Sequence, residues 1–346
     1  MNNIFPWQNE IWKILTKNKS SIGHAILLKG KKGIGKLEFA KSLAKSLLCE
    51  DRLSENPACG SCSGCRWFEQ AGHPDFYLVE PEALSESSGE SKEKPSSAKL
   101  KKKPSKQVSV AQIRALNDVV NMSSHRNGYK IVIINPAEAM NVAAANALLK
   151  NLEEPPPQTL FILVTHRPHH ILPTIHSRCR QIAMPAPDFN LAIDWLEKQD
   201  IEGAEDSLAA VGYAPLAALE YNNGDYRLEH ENFINNISVL NRLNPILLAE
   251  ELQKSDLPTT ISWLQKWCYD LMSCRTTGKI RYHLSMQAEI EELVPKIEPL
   301  KLARYLRNLI DMQRLAHHTL NPRLFLEEAF ISYAMLMAPA RSNQRG

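Results

Sequence analysis

The chain has 346 residues, of which 44% are hydrophobic, and a formal net charge of +3 at pH 7. This length predicts two or three domains, because a single hydrophobic core rarely serves so many residues. The charge is too small to indicate nucleic-acid binding by itself, and no apolar run is long enough to indicate a membrane helix. The N-terminal segment lacks the basic start and apolar stretch of a secretion signal, so we expect a cytoplasmic protein with no membrane contact.

The first half of the chain alternates short apolar runs with helical patterns. The apolar runs predict strands and the helical spacings predict helices, with strands at 25–28, 76–79, 130–134 and 160–165 and helices at 36–48, 110–122 and 142–152. Such alternation is typical of a parallel sheet flanked by helices. We therefore predict an α/β domain over residues 1–185.

Residues 85–106 interrupt this alternation. They are rich in Ser, Lys, Glu and Pro and contain almost no large apolar side chains, which predicts a flexible surface insert. One run of lysines in this insert can contact a phosphate backbone, although most charge runs of this kind are simply solvated. The run consists of Lys99, Lys101, Lys102 and Lys103.

After Pro185 and Pro187 the strand signals stop and only helical patterns follow. Apolar spacings suit a helical bundle, and Trp263 and Trp267, one turn apart, are predicted to lie in its core or at an interface. We expect a small helical lid domain at 186–228 and an all-α domain at 229–346.

Residues 30–37 read GKKGIGKL, which matches a phosphate-binding P-loop at every position except the last. In such a loop the glycines let backbone N–H groups surround the phosphates, the lysine contacts the terminal phosphates, and a final Ser or Thr binds Mg²⁺. Leu37 has no oxygen to offer a metal. The alternative is a glycine turn that only joins a strand to a helix. The candidate nucleotide-binding residues are Gly30, Gly33, Gly35 and Lys36.

The apolar run at 130–134 corresponds to the strand that, in a P-loop ATPase, ends in an Asp for Mg²⁺ and a Glu that activates water. Here Asn135 and Pro136 follow it. An uncharged amide is a poor Mg²⁺ ligand, and proline cannot polarise water. Glu138 lies further along, and we expect it to be a surface carboxylate at the start of the next helix. Together with Leu37, these residues argue against ATP turnover.

Four of the seven cysteines follow the spacing C-x9-C-x2-C-x2-C. In a reducing compartment such clustering indicates a metal, and four thiolates predict a structural zinc site with no open position. An iron–sulfur cluster is the competing interpretation, although the Cys-Pro that ends the ferredoxin pattern is missing. His73 can replace one thiolate. The candidate ligands, in a module at 49–74, are Cys49, Cys59, Cys62 and Cys65. The remaining cysteines show no partner spacing and are predicted to be small buried residues, namely Cys179, Cys268 and Cys274.

The tripeptide Ser177-Arg178-Cys179 follows a loop that contains His166, His169 and His170. At the end of an α/β domain, an arginine can cross a subunit boundary and stabilise charge on a neighbour's γ-phosphate, which raises rates roughly 10³- to 10⁵-fold in related chemistry. The alternative is that Arg178 forms a surface salt bridge. The histidines are predicted to be ordinary loop residues, because no acid or thiol accompanies them.

Three segments in this order, ANALLK at 145–150, LEEPP at 152–156 and SRC at 177–179, resemble the bacterial AAA+ clamp-loader subunits of DNA polymerase III. The P-loop with a four-cysteine module behind it adds to this resemblance, which covers about residues 1–220. It implies an AAA+ α/β domain that holds the zinc module, a small helical lid, and a C-terminal all-α collar domain that joins a ring of related subunits.

The ATPase subunits of that family, gamma and tau, carry a Ser or Thr after the P-loop lysine and an Asp-Glu after the strand. This chain has neither, and it has Leu216 where those subunits carry a second nucleotide-sensing arginine. The resemblance therefore implies a subunit of the delta-prime type, which binds ATP weakly or not at all and does not hydrolyse it. By the same match Arg178 is an arginine finger for a neighbour, the four cysteines bind zinc, and Thr165 ends the strand that senses phosphate in active relatives.

The resemblance also implies partners. These are the gamma/tau and delta subunits in a hetero-oligomeric ring, the sliding clamp, and primed DNA reached through the complex. Two rival functions stay open at this point: an active gamma/tau-like ATPase, and a zinc-containing nucleic-acid-binding module.

Overall fold

The computed structural model describes residues 4–17, 22–51, 58–85, 104–122, 128–239, 242–318 and 320–338. Most of the predicted insert at 85–106, including Lys99, Lys101, Lys102 and Lys103, lies outside these residues. The chain divides into two compact units, Met1–Leu191 and Ala192–Gly346. The finer division into domains at 1–185, 186–228 and 229–346 stays a prediction.

A parallel sheet forms the centre of the first unit. Its described strands are β1 (Ala25–Lys29), β2 (Phe76–Val79), β3 (Lys130–Ile134), β4 (Thr159–Thr165) and β5 (Arg180–Ala183), in the order β2-β3-β4-β1-β5. Strands β3 and β4 are buried along their whole length, which explains why they appear in the sequence as continuous apolar runs. The four predicted strands are confirmed. The fifth, β5, was not predicted, because its residues are mostly exposed and give no apolar run.

The strand register defines two ends of the sheet. Lys29, the last residue of β1, lies opposite Thr165 of β4 and Ala183 of β5. The P-loop therefore leaves the carboxyl end of the sheet. Arg178 precedes β5, whose Arg180 pairs with Ile26 near the start of β1, and it therefore lies at the amino end.

Helices flank this sheet. Those of the first unit are α1 (Asn9–Lys17), α2 (Lys36–Leu48), α3 (Ser63–Glu69), α4 (Glu82–Ser85), α5 (Val110–Val120), α6 (Val142–Glu153) and α7 (Pro173–His176). Ser109 caps α5 with a reciprocal Ser–Gln capping box, and the Asn141 side chain caps α6. Buried residues of both helices, such as Ile113 and Leu148, share one core with Phe161 of the sheet.

Helix α8 (Phe189–Glu197) spans the division between the units, and the described part of the second unit is helical. Its helices are α9 (Ala204–Ala210), α10 (Pro215–Asn222), α11 (Tyr226–Ser238), α12 (Pro245–Leu252), α13 (Leu257–Thr277), α14 (Gln287–Leu293), α15 (Pro299–Leu315) and α16 (Pro322–Met337). Trp263 and Trp267 are buried in its core, as predicted, and Trp267 Nε1 donates to the Tyr333 hydroxyl at 2.7 Å. Within the described residues, no helix is both long and apolar enough to cross a membrane.

Candidate nucleotide and metal sites

The P-loop joins β1 to α2, and its lysine is bonded to the loop itself. Gly33 and Gly35 have φ angles of 80° and 83°, which side-chain-bearing residues rarely adopt. Lys36 is buried, and its ammonium donates to Gly30 O at 2.8 Å and to Lys31 O. Burial lowers the pKa of Lys36 to about 8, although Glu138 and Glu38 act in the opposite direction. The four predicted residues thus lie in one loop, and the Lys36 ammonium is hydrogen-bonded to carbonyl oxygens of that loop.

A 3-10 turn at Pro6–Gln8 covers this loop. Trp7 Nε1 donates to Ile34 O at 3.0 Å, and Gln8 Nε2 donates to Ile34 O at 2.9 Å and to Gly35 O at 2.8 Å. The aromatic ring of Phe5 lies so close to Gly35 that a Cβ there would be 2.4 Å from it. Sequence reasoning missed these contacts, because no local pattern connects the turn with a loop 26 or 27 positions away.

A neutral amide, Asn135, directly follows β3. Asn135 is buried, and its Nδ2 donates to Glu80 Oε1 at 2.8 Å. Its Oδ1 has no hydrogen-bond partner among the described residues. Asn135 therefore brings no charge to a metal, although Glu80 supplies a carboxylate beside it.

Glu138 was expected to be a surface carboxylate, and this expectation is wrong. The residue is half-buried, its Oε1 accepts a hydrogen bond from the backbone N–H of His166 at 2.9 Å, and its Oε2 is buried without a partner in the described part of the chain. The expectation that no acid accompanies the histidines is also wrong for His166, because the Glu138 carboxylate lies beside it. Burial, assisted by the positive charge of Lys36, lowers the pKa of His166 to about 4.

Thr165 ends β4 at the same end of the sheet. It is fully buried, and its hydroxyl oxygen accepts from Arg167 N at 3.2 Å. The carboxyl ends of β1, β3 and β4 therefore converge at this side of the sheet. The convergence arises because parallel strands present their carboxyl ends at one side of a sheet.

Arg178 lies between α7 and β5, at the opposite end of the sheet. Its guanidinium donates to Thr174 O at 3.0 Å and to Ser177 Oγ at 3.3 Å, and it forms a salt bridge with Glu153 at the end of α6. About a third of the side chain is exposed. The next residue, Cys179, is buried, which raises the pKa of its thiol to about 12 and anchors the backbone beside the arginine.

The four predicted cysteines meet in one cluster. Their sulfurs all lie within 4.8 Å of one another, at 3.5 Å for Cys49–Cys59, 3.9 Å for Cys49–Cys62 and 4.0 Å for Cys59–Cys65. Tetrahedral zinc with Zn–S bonds of about 2.3 Å requires sulfurs roughly 3.8 Å apart, so the set fits one zinc ion. An iron–sulfur cluster must fit several iron and sulfide atoms between the same thiolates, which these short distances do not allow.

Two helices position the sulfurs. Cys49 directly follows α2, and Cys62 caps α3, where its sulfur accepts from Cys65 N at 3.4 Å. Hydrogen bonds from the backbone of Cys62 and from Ser61 lower the pKa of the Cys59 thiol to about 6, which favours the thiolate that binds metal. His73, the alternative ligand, lies outside this cluster, and its Nδ1 accepts from Asp75 N at 3.1 Å.

Family models match both parts of the chain. One for DNA polymerase III, delta subunit, matches residues 7–188, and one for DNA polymerase III, delta subunit, C terminal, matches residues 225–333. DNA polymerase III subunit delta' of Pseudomonas aeruginosa is 32% identical over 98% of this chain and all of that protein. The chain belongs to the delta-prime family.

Delta-prime of Bacillus subtilis is 36% identical over 58% of this chain and 54% of its own length. The chain also aligns with the crystal structure of a DNA polymerase III gamma subunit-related protein from Thermotoga maritima. The alignment covers 96% of this chain and all of that chain, with 20% identity and a TM-score of 0.43. Delta-prime membership, together with the five-stranded parallel sheet and the helical C-terminal part, confirms the predicted AAA+ α/β fold.

Proposed function

We propose that this chain is a clamp-loader subunit that does not hydrolyse ATP and that supplies Arg178 to the ATP site of a neighbouring gamma or tau subunit. Its further partners are the delta subunit in the same hetero-oligomeric ring, the sliding clamp, and primed DNA. The ring places the clamp on DNA during replication. The observation that carries this proposal is the position of Arg178 at the amino end of the sheet, away from the P-loop.

Arg178 and the P-loop lie at opposite ends of the sheet. Strand β5 runs parallel to β1, with Arg180 opposite Ile26 and Ala183 opposite Lys29. At about 3.3 Å per residue, these four pairs separate the two ends by roughly 10 Å. The guanidinium therefore faces away from the chain's own phosphate loop, and it serves a second ATP site only if a neighbour presents one.

The salt bridge with Glu153 does not prevent this role. An exposed ion pair of this kind contributes roughly 0.2–1 kcal/mol. An arginine that stabilises phosphoryl transfer contributes a rate factor of roughly 10³ to 10⁵, which corresponds to about 4–7 kcal/mol. The exchange of Glu153 for a γ-phosphate is therefore favourable in the transition state.

The chain's own site lacks the groups that hydrolysis requires. Leu37 replaces the Mg²⁺-binding hydroxyl, Asn135 replaces the Mg²⁺-binding carboxylate, and Glu138 is bonded to the backbone of His166. Lys36 must also exchange its loop carbonyls for phosphate oxygens before nucleotide enters. These contacts support weak ATP binding, or none, without turnover.

We assign the four-cysteine cluster to one structural zinc ion. All four positions are sulfur, so no open position remains for water or substrate. The ion joins the C-terminal end of α2 to the N-terminal end of α3. A 2.7 Å salt bridge between Lys45 and Glu69 also joins these two helices. Zinc then stabilises this module and takes no part in the reaction.

The test compares Arg178→Ala with Arg180→Ala in a loader reconstituted with its other subunits, the clamp and primed DNA. Arg180 is an exposed arginine on the adjacent strand, so its removal makes a matched control. We expect hydrolysis at the adjoining ATP site to fall about 10³-fold for Arg178→Ala and to stay unchanged for Arg180→Ala. Equal rates for the two variants would show that Arg178 is not the finger.

The isolated chain tests the rival ATPase function. Steady-state hydrolysis by the zinc-loaded protein is expected to be indistinguishable from that of Lys36→Ala. Turnover that Lys36→Ala abolishes would identify an active site in this chain and overturn the non-hydrolysing role. Titration with a fluorescent ATP analogue then measures separately whether the loop still binds nucleotide.

A further inference from the structure

Glu153 is the last residue of α6, and its carboxylate forms a salt bridge with the Arg178 guanidinium. About half of the Glu153 side chain is exposed. A carboxylate is unfavourable at this place, because the C-terminal end of a helix carries partial negative charge. Glu154, the next residue, adds a second carboxylate there. The helix itself thus gives no reason for an acid at this position, and the partner that accounts for Glu153 is Arg178.

The backbone that carries Glu153 is fixed at the amino end of the sheet. The preceding residue, Leu152, is buried, and its carbonyl oxygen lies 3.0 Å from Nε2 of His24, the residue before β1. Three prolines at 155–157 restrict the backbone that follows α6. The Glu153 carboxylate therefore extends from a helix end whose position is set by the sheet.

The other contacts of the Arg178 guanidinium come from its own segment. Its Nη1 donates to Thr174 O at 3.0 Å and to Ser177 Oγ at 3.3 Å, whereas its Nη2 contacts Glu153. Among the described residues, Glu153 is thus the contact that a different element supplies. A guanidinium has five N–H donors, so these contacts leave part of it available to a phosphate. The arginine is folded back on its own chain, and a carboxylate offsets its charge.

We propose that Glu153 is a latch for the arginine finger. It holds the Arg178 guanidinium against its own chain and is displaced when a neighbour presents a γ-phosphate. While the pair persists, the carboxylate offsets the charge of the guanidinium and repels the phosphate, and both effects weaken catalysis by the finger. Glu153 is a positioning residue, because it acts only through Arg178. This inference rests on the proposed finger role of Arg178 and adds to that role a brake within the same chain.

The expected effect of the latch is modest, because the ion pair is partly exposed. Pairs of this kind change an equilibrium by a factor of roughly 1.5 to 5. Glu153→Gln keeps the length and shape of the side chain but removes its charge. It should therefore raise kcat for hydrolysis at the neighbour's site by a factor in that range. The KM for ATP should stay unchanged, because the finger makes its contact in the transition state.

The test uses a loader reconstituted with its other subunits and compares Glu153→Gln with the matched control Glu154→Gln. Both glutamates are exposed, so neither change leaves a cavity in the core. The difference in rate between the unaltered loader and a loader with Arg178→Ala isolates the hydrolysis that depends on the finger. At saturating ATP, we expect Glu153→Gln to raise this difference roughly 1.5- to 5-fold and Glu154→Gln to leave it unchanged.

A combined variant shows whether Glu153 acts through the finger. In a chain that already carries Arg178→Ala, Glu153→Gln should have no effect, whereas a merely structural role of Glu153 would alter both backgrounds equally. Equal effects in the two backgrounds, or a finger-dependent rate that Glu153→Gln lowers or leaves unchanged, would overturn the latch while the finger role stands. If Arg178→Ala itself left hydrolysis unchanged, the finger role would fail, and the latch would fail with it.

Discussion

Replacing Gly35 with alanine tests whether the turn at Pro6–Gln8 holds the P-loop in place. Gly35 has a φ of 83°, and an alanine in this left-handed region costs roughly 1–2 kcal/mol. The added Cβ would also lie 2.4 Å from two atoms of the Phe5 ring and 2.9 Å from Gln8 Nε2. Overpacking of this kind costs roughly 1–3 kcal/mol. We therefore expect Gly35→Ala to lower the free energy of unfolding of the first unit by about 2–5 kcal/mol.

Gly23→Ala is the matched control for backbone strain. Gly23 has nearly the same φ, 82°, but nothing lies within 4 Å of a Cβ built there. Its substitution should cost only the backbone part, roughly 1–2 kcal/mol. The difference between the two variants then isolates the contact with Phe5 and Gln8.

Urea unfolding followed by tryptophan fluorescence measures both variants, since Trp7 and Trp12 belong to this unit. A Phe5→Ala change in the Gly35→Ala background should recover part of the loss, with a coupling free energy of at least about 1 kcal/mol. If Gly35→Ala proved no more destabilising than Gly23→Ala, the aromatic ring would not be packed on the loop, and the reasoning would fail.

Three further predictions concern other sites. Cys65→Ser should abolish the single zinc equivalent and lower the melting temperature, whereas Cys274→Ser should change neither, as measured by metal analysis and calorimetry. The pKa of His230 falls from about 6.5 in the unfolded chain to about 3, so the unfolded state binds more protons in that window and stability decreases as pH falls. At pH 5 the loss is roughly 2 kcal/mol, and His230→Phe should remove it, as measured by urea titration at several pH values. The pKa of Lys36 is lowered from 10.5 to about 8, so the unfolded state binds more protons between these two values. The free energy of unfolding should therefore rise by up to roughly 3 kcal/mol as the pH increases from 8 to 10.5. A Lys36→Met variant that shows the same rise would contradict this assignment.

Features that depend on contiguous or regularly spaced residues were predictable from the sequence. The strand at 130–134 is buried on both sides and therefore gives a continuous apolar run, and α2 begins and ends where its pattern does. The cysteine spacing places four sulfurs around one point because the helix boundaries at Cys49 and Cys62 bring them there. In these cases the local sequence pattern is enough to predict where the residues lie in the fold.

Features that depend on distant contacts were not predictable. Strand β5 exists because β1 offers it a partner, although its own residues are exposed. Glu138 was misjudged because its partner, the backbone N–H of His166, is 28 positions away and carries no sequence signature. The buried rings of His230 and His283, whose centres lie 5.5 Å apart, likewise come from two distant segments that only the fold brings together.

The pairing of β5 with β1 also connects the backbone of Arg178 to the P-loop. Arg178 is joined to β5 through the buried Cys179. At the other end of β5, Met184 N donates to Lys29 O at 2.8 Å, directly before the P-loop begins. Within the described residues, the backbone that follows Arg178 is therefore held against β1 along the whole of β5. Under the proposed function, the distance of Arg178 from the neighbour's γ-phosphate is therefore set by how the whole unit docks, so that a tilt of one subunit starts or stops hydrolysis in the next.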